Sequence, residues 1–147
     1  MSELKNTRAR LVRALKPFNA MPVENRVREG TPDVNFAGGW IECKRMANWP
    51  ANADKNPVRL PHPLLQTQRV WIKSRSRSAY KELILVCLHV RSEWLFFDGL
   101  EACEILGTST KPELMNQARL CLKGLNEKSL VSWIQISLEA LRSENCL

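Results

Sequence analysis

Histidine is nearly absent from this chain: His62 and His89 are the only two among 147 residues. With no Cys-x-x-Cys pair either, a zinc finger or histidine-rich centre has nothing to be built from, so a bound metal would be held by oxygen. The five cysteines (Cys43, Cys87, Cys103, Cys121 and Cys146) are odd in number and scattered. That pattern suits reduced thiols better than a bridged framework. Long apolar runs are missing too. The longest, Leu83 to Leu88, falls far short of the about 20 residues that cross a bilayer, and no charged start followed by an apolar stretch opens the chain. The expectation is a soluble, intracellular protein with no membrane partner. Repeats and low-complexity tracts are also lacking.

What is present is ordinary globular material with a basic excess. Hydrophobic residues make up 44% and charged residues 25%, which argues against wholesale disorder. Lys plus Arg number 22 against 15 Asp plus Glu, a net charge of +7 that favours an anionic partner, nucleic acid first.

Ser2 is placed to cap a helix running to about Lys16, with Leu4, Leu11, Val12 and Leu15 on one stripe and Lys5, Arg8, Arg10, Arg13 and Lys16 on the other face. Asn19 to Pro22 reads as a turn and Val23 to Arg28 as a short extended segment. Asp33 to Lys44 reads as a hairpin turning at Gly38-Gly39. Arg45 to Pro63, rich in Pro, Asn and Ala, reads as a long surface loop. Leu64 to about Ser78 is helical, with Leu64, Leu65, Trp71 and Ile72 inward and Lys73, Arg75 and Arg77 outward. Leu83 to Val90 is a buried central strand, and Trp94 to Phe97 pairs with it. Beyond Gly99 only helices are expected: Leu100 to Leu106, Lys111 to Lys123 capped by Thr110 and stopped by Gly124, and Ser129 to about Arg142. The last of these has a Leu130, Ile134, Leu138, Leu141 stripe. The fold class is α/β, with residues 1–99 as a core and 100–147 as a helical extension that closes the core or meets a second subunit.

Chemistry concentrates in the hairpin. A turn at Gly38-Gly39 pairs Asp33 with Lys44 and Asn35 with Glu42. Alternation puts those four polar side chains on one face and Val34, Phe36, Ile41 and Cys43 on the other. Two carboxylates and one ammonium then lie within about 8 Å of one another. Two oxygen donors at that spacing suit a hard cation such as Mg²⁺, which polarises a phosphoryl oxygen and makes water a better nucleophile. Lys44 orients that water or steadies charge on the phosphate.

Pro32-Asp33 with Glu42-Cys43-Lys44 resembles the motif of the PD-(D/E)xK nuclease superfamily. Glu24-Asn25, Gly30 to Val34, Trp40 to Lys44 and Gln68-Arg69-Val70-Trp71 look like the virus-type replication-repair nucleases (VRR-NUC) and related phage Holliday-junction resolvases. The resemblance implies a restriction-endonuclease-like core, a mixed sheet flanked by helices, over about two thirds of the chain. It makes Asp33 and Glu42 the ligands of Mg²⁺, for which Mn²⁺ substitutes. Lys44 becomes the water-positioning base, Glu24 the acid that helps the metal, and Gln68 the helix residue reaching back to the site. Cys43 departs from the larger aliphatic commoner in the family. The implied activity is cleavage of branched or distorted DNA in phage or prophage replication, recombination or repair, inside a bacterial cytoplasm. Symmetric double cutting suits a homodimer.

Several residues have competing readings. Glu29 rivals Glu24 as third acid, and Gln66 rivals Gln68. His62, between two prolines, reads as a plain loop residue, although a proton donor to a leaving oxygen is the other possibility. His89 reads as a core residue. Arg8, Arg13, Arg45, Arg69, Lys73 and Arg75 are the expected DNA-backbone contacts. Trp49 either stacks on a base or packs against the protein. The competing function is a catalytically silent nuclease-fold protein that binds nucleic acid or a host protein.

Overall fold

The computed structural model describes residues 3–25 and 27–145, with side chains from Asn6 to Glu144. Ser2 as a cap and Cys146 lie outside the described residues, as do the side chains of Leu4, expected on the apolar stripe, and Lys5, expected on the opposite face.

The architecture is α/β: one mixed sheet of six strands between helical layers. In spatial and chain order the strands are β1 (Met21–Pro22), β2 (Val34–Phe36), β3 (Gly39–Met46), β4 (Leu83–Val90), β5 (Glu93–Asp98) and β6 (Leu120–Lys123). Neighbours are antiparallel except β3 and β4, which run parallel from Gly39↔Leu83 to Met46↔Val90. A parallel pair requires a crossover. Residues 47–82 make it, and they include α2 (Gln66–Ser76). β4 is apolar on both faces because each is covered, as its continuous run predicts.

On one face Ile41, Cys43, Leu85, Cys87 and Phe96 pack under α1 (Glu3–Ala14) and α5 (Glu127–Asn145), through Leu11, Leu15, Leu130, Ile134 and Leu138. On the other, Ile84, Val86, Leu88 and Phe97 meet Ile72 of α2, α3 (Gly99–Ile105) and α4 (Lys111–Gln117). Each fully buried aliphatic contributes about 1.5–3 kcal/mol. Leu130, Ile134 and Leu138 of the C-terminal stripe are thus core, with Leu138 against the β2–β3 turn, while Leu141 is only partly buried. His89 is core as expected, sharing a hydrogen bond with Thr7 at 3.0 Å and stacking on Trp94 at 3.7 Å. No helix among the described residues is long and apolar enough to cross a membrane.

Several expectations need correction. The hairpin turns at Ala37-Gly38, with Phe36 opposite Gly39. Gly38 takes the positive φ, +99°, whereas Gly39 is a strand residue kept small because a Cβ there would run into the Leu83 carbonyl and the Phe36 ring. Helices do not fill the chain beyond Gly99. The helix capped by the reciprocal Thr110–Glu113 bonds ends at Gln117, and Leu120–Lys123 returns to the sheet beside β5. The segment from Val23 is not extended through Arg28: Asn25 Oδ1 accepts the N–H groups of Val27 and Arg28 and bends it. The loop after β3 runs over the surface for most of its length, yet Ala53, Val58, Leu60 and Leu64 anchor it in the core. Leu65, expected inward, is exposed and precedes the first turn of α2.

Candidate active site

The site grows out of the β2–β3 register. With Val34 opposite Ile41, Asp33 at the entry to β2 faces Glu42 directly, closer than the diagonal placement expected. The face partition is unchanged, because moving the turn by one residue moves the pairing by two. Asp33, Glu42 and Lys44 share one face, while Ile41 and Cys43 join the α1 side of the core. Asp33 extends the ladder with its side chain: Oδ2 accepts the Cys43 N–H at 2.9 Å, and its carbonyl accepts the Val23 N–H at 2.8 Å.

Glu42 and Lys44 are buried, at 3% and 5% exposure, which is unusual for charged side chains and sets them apart from a solvated strand face. Gln68, in the first turn of α2, holds both. Its Nε2 donates to Glu42 Oε1 at 2.8 Å, and its Oε1 accepts from Lys44 Nζ at 3.1 Å and from the Leu65 N–H at 2.9 Å. One amide therefore caps its own helix and ties it to β3. Lys44 Nζ also donates to the Pro63 carbonyl at 3.3 Å and lies 3.7 Å from Glu42 Oε1. Three acceptors surround an ammonium that has three donors.

Glu42 Oε2, in contrast, is buried with no hydrogen-bond partner. Burial, and next the neighbouring Asp33 charge, push the Glu42 carboxyl well above its ordinary value, against a smaller downward pull from Lys44. An orphaned carboxylate oxygen beside a second carboxylate is the environment that a small divalent cation would relieve, so the donor set fits an oxygen-bound Mg²⁺. The cavity over these residues has a volume of about 280 Å³ and is lined by Asp33, Glu42, Lys44, His62, Pro63 and Gln68.

The structure does not bring every expected residue here. Glu24 is exposed and pairs with Arg8 at 3.3 Å, beside a groove along α1 rather than the acidic cavity. Glu29 and Gln66 line a separate groove beside Trp71. Among the described residues no group of three or more His, Cys, Asp or Glu converges as a metal-ligand set; Asp33 and Glu42 are the two acids that line the cavity.

The basic residues also divide. Arg69 bonds the carbonyls of Leu64 and Cys103, tying α2 to α3. Arg75 pairs with Glu82 and stacks over Trp40 and Trp71, each at 5.3 Å. Both make contacts within the protein, and Arg75 keeps 39% of its side chain exposed. Arg45 projects to the α1 side of the sheet, in register with His89. Arg13 and Lys73 are exposed and uncommitted to the core. Trp49 packs on the core with Lys111 above its ring at 5.1 Å, the protein-packing alternative of its two readings.

Sequence reasoning missed three contributors: the Pro63 carbonyl, the Leu65 N–H and the placement of His62. Backbone groups carry no residue signature. The lone signal for His62 was its Pro-His-Pro setting, which fixes backbone angles without saying what lies beneath. Against known proteins, no family model, no curated protein and no solved structure matches this chain.

Proposed function

We propose that this protein is a Mg²⁺-dependent DNA endonuclease of the PD-(D/E)xK type, hydrolysing phosphodiester bonds with a preference for branched or distorted DNA. The observation that carries the reading is that Glu42, whose buried Oε2 has no hydrogen-bond partner, lines the same cavity as Asp33 and Lys44. Asp33 and Glu42 would hold the ion, which supplies Lewis-acid polarisation of a phosphoryl oxygen. Lys44 places a fixed positive charge where negative charge builds in the transition state. Gln68 keeps Glu42 and Lys44 in their rotamers, so little reorganisation accompanies reaction. The net charge of +7 supports an anionic polymer as substrate. A phage or prophage role in recombination or repair, a bacterial cytoplasmic setting and a homodimer making paired cuts belong to the same proposal.

Incubation with Mg²⁺ on a four-way junction, a flap, a nicked duplex and plain duplex tests it. Cleavage of branched DNA that EDTA stops, and that Asp33→Ala and Glu42→Ala each abolish with folding intact, is the expected result. Bound but uncut DNA across the panel would overturn the reading. One observation favours a second reading: Glu24 is paired with Arg8 away from the cavity, which leaves two acids where the family pattern has three. A catalytically silent binder would bind DNA yet show no heat of Mg²⁺ or Mn²⁺ uptake in calorimetry.

A further inference from the structure

From the crossover geometry we infer that His62 is a catalytic residue, the proton donor to the oxygen that leaves when the phosphodiester is cut. This rests on the nuclease reading and adds a residue that its acid–lysine constellation does not include. The histidine is not on a free loop. Leu60 and Leu64 on either side are buried, at 9% and 5% exposure, and the Pro63 carbonyl accepts a hydrogen bond from Lys44 Nζ at 3.3 Å. Pro61 and Pro63 fix the backbone on both sides of it. The segment is thereby pinned across the acidic cavity, and His62, exposed itself, lines that cavity with Asp33, Glu42 and Lys44.

Elimination among the lining side chains leads to the same residue. Lys44 donates to Gln68 and Pro63 and pairs in charge with Glu42 at 3.7 Å, and giving up a proton would break that set. Gln68 does not titrate. Cys43 is buried on the other side of the sheet. Asp33 and Glu42 serve as anions when they hold a cation. His62 remains: it is exposed at the wall of the cavity, and its ring nitrogens can each carry a proton. In the step, a water oxygen bonds to phosphorus while the bond from phosphorus to the leaving oxygen breaks. The His62 imidazolium transfers its proton to that oxygen, and the surplus proton of the attacking water passes to solvent.

The test compares two junction substrates, one natural and one with sulfur in place of the leaving oxygen, the position being set by the end groups of wild-type products. A thiolate departs without a proton. Single-turnover rates are measured in Mn²⁺ for wild type and His62→Ala, with DNA affinity measured in Ca²⁺ and folding checked by thermal melting. His62→Ala is expected to lose about 100-fold or more on the oxygen substrate and less than about 3-fold on the sulfur substrate, with unchanged affinity. Equal losses on both substrates, no loss on either, or a weakened affinity that accounts for the loss would overturn the role of His62 while leaving the nuclease reading intact. A wild-type protein that cuts neither substrate would overturn both.

Discussion

Replacing Glu42 by glutamine is expected to stabilise the ion-free protein and to abolish its response to divalent ions. Oε1 of Glu42 is held by Gln68 at 2.8 Å, whereas Oε2 is buried without a partner beside Asp33. Burial first and the Asp33 charge second raise its carboxyl well above the ordinary 4.5. An acid raised in this way contributes stability that is complete below 4.5 and lost as pH climbs through the folded-state value. Near neutrality the wild type therefore carries an unrelieved penalty that an uncharged amide of the same shape escapes, because its N–H group has the neighbouring Asp33 carboxylate to donate to. An unsatisfied buried polar atom costs about 1–3 kcal/mol, and each kcal/mol moves Tm by about 2–4 °C at this chain length, so Glu42→Gln should melt about 6 °C above wild type in EDTA. Mg²⁺ at about ten times its Kd should return about 1.4 kcal/mol to the wild type and nothing to the variant. Calorimetric melting in EDTA and in Mg²⁺, across roughly pH 5 to 8, reads all of this, and the EDTA gap should widen as pH rises. A variant that melts at or below wild type in EDTA, or one that Mg²⁺ stabilises equally, would refute the reasoning.

Gln68→Leu removes partners from Lys44, Glu42 and the Leu65 N–H together. It should cost about 2 kcal/mol in urea denaturation and slow cleavage about 100-fold through misplacement of the charged pair; an unchanged rate would dismiss its positioning role. Leu138→Ala, in the fully packed face of α5, should cost about 2–5 kcal/mol, and a loss below about 1 kcal/mol would show that the C-terminal helix is not core. His89 is pushed down by burial from 6.5 to about 4, so the stability it supports is complete above 6.5 and falls as pH drops toward the folded value. Wild type should lose up to about 3 kcal/mol over that interval and His89→Gln clearly less, as urea midpoints at neutral and acidic pH would show.

The acidic face was legible in the sequence because strand alternation depends only on parity: any even shift of register leaves Asp33, Glu42 and Lys44 together. The turn itself was not. Gly38-Gly39 advertises a two-residue turn, yet Gly39 answers to crowding from Leu83 and Phe36, residues that only the folded sheet brings near. β6 was hidden for a related reason. Its four residues alternate too briefly to outweigh the cap at Thr110 and the stop at Gly124, and its stability comes from pairing with β5. The pairing of Glu24 with Arg8 likewise joins residues through tertiary approach, so no local pattern reveals it. The helix stripes of α1 and α5, long and periodic, needed no such context: Leu11 and Leu15, and Leu130, Ile134 and Leu138, are core as read, and among the described stripe residues only Leu141 falls outside it.

The connection that makes β3 and β4 parallel is also the ceiling over the two acids. A nascent chain thus displays Asp33, Glu42 and Lys44 well before Pro63 and Gln68 have been synthesised to clasp them. Until the crossover docks, the hairpin is a strip of charge with no chamber, and any later unfastening of α2 takes the Gln68 clasp away from Glu42 and Lys44.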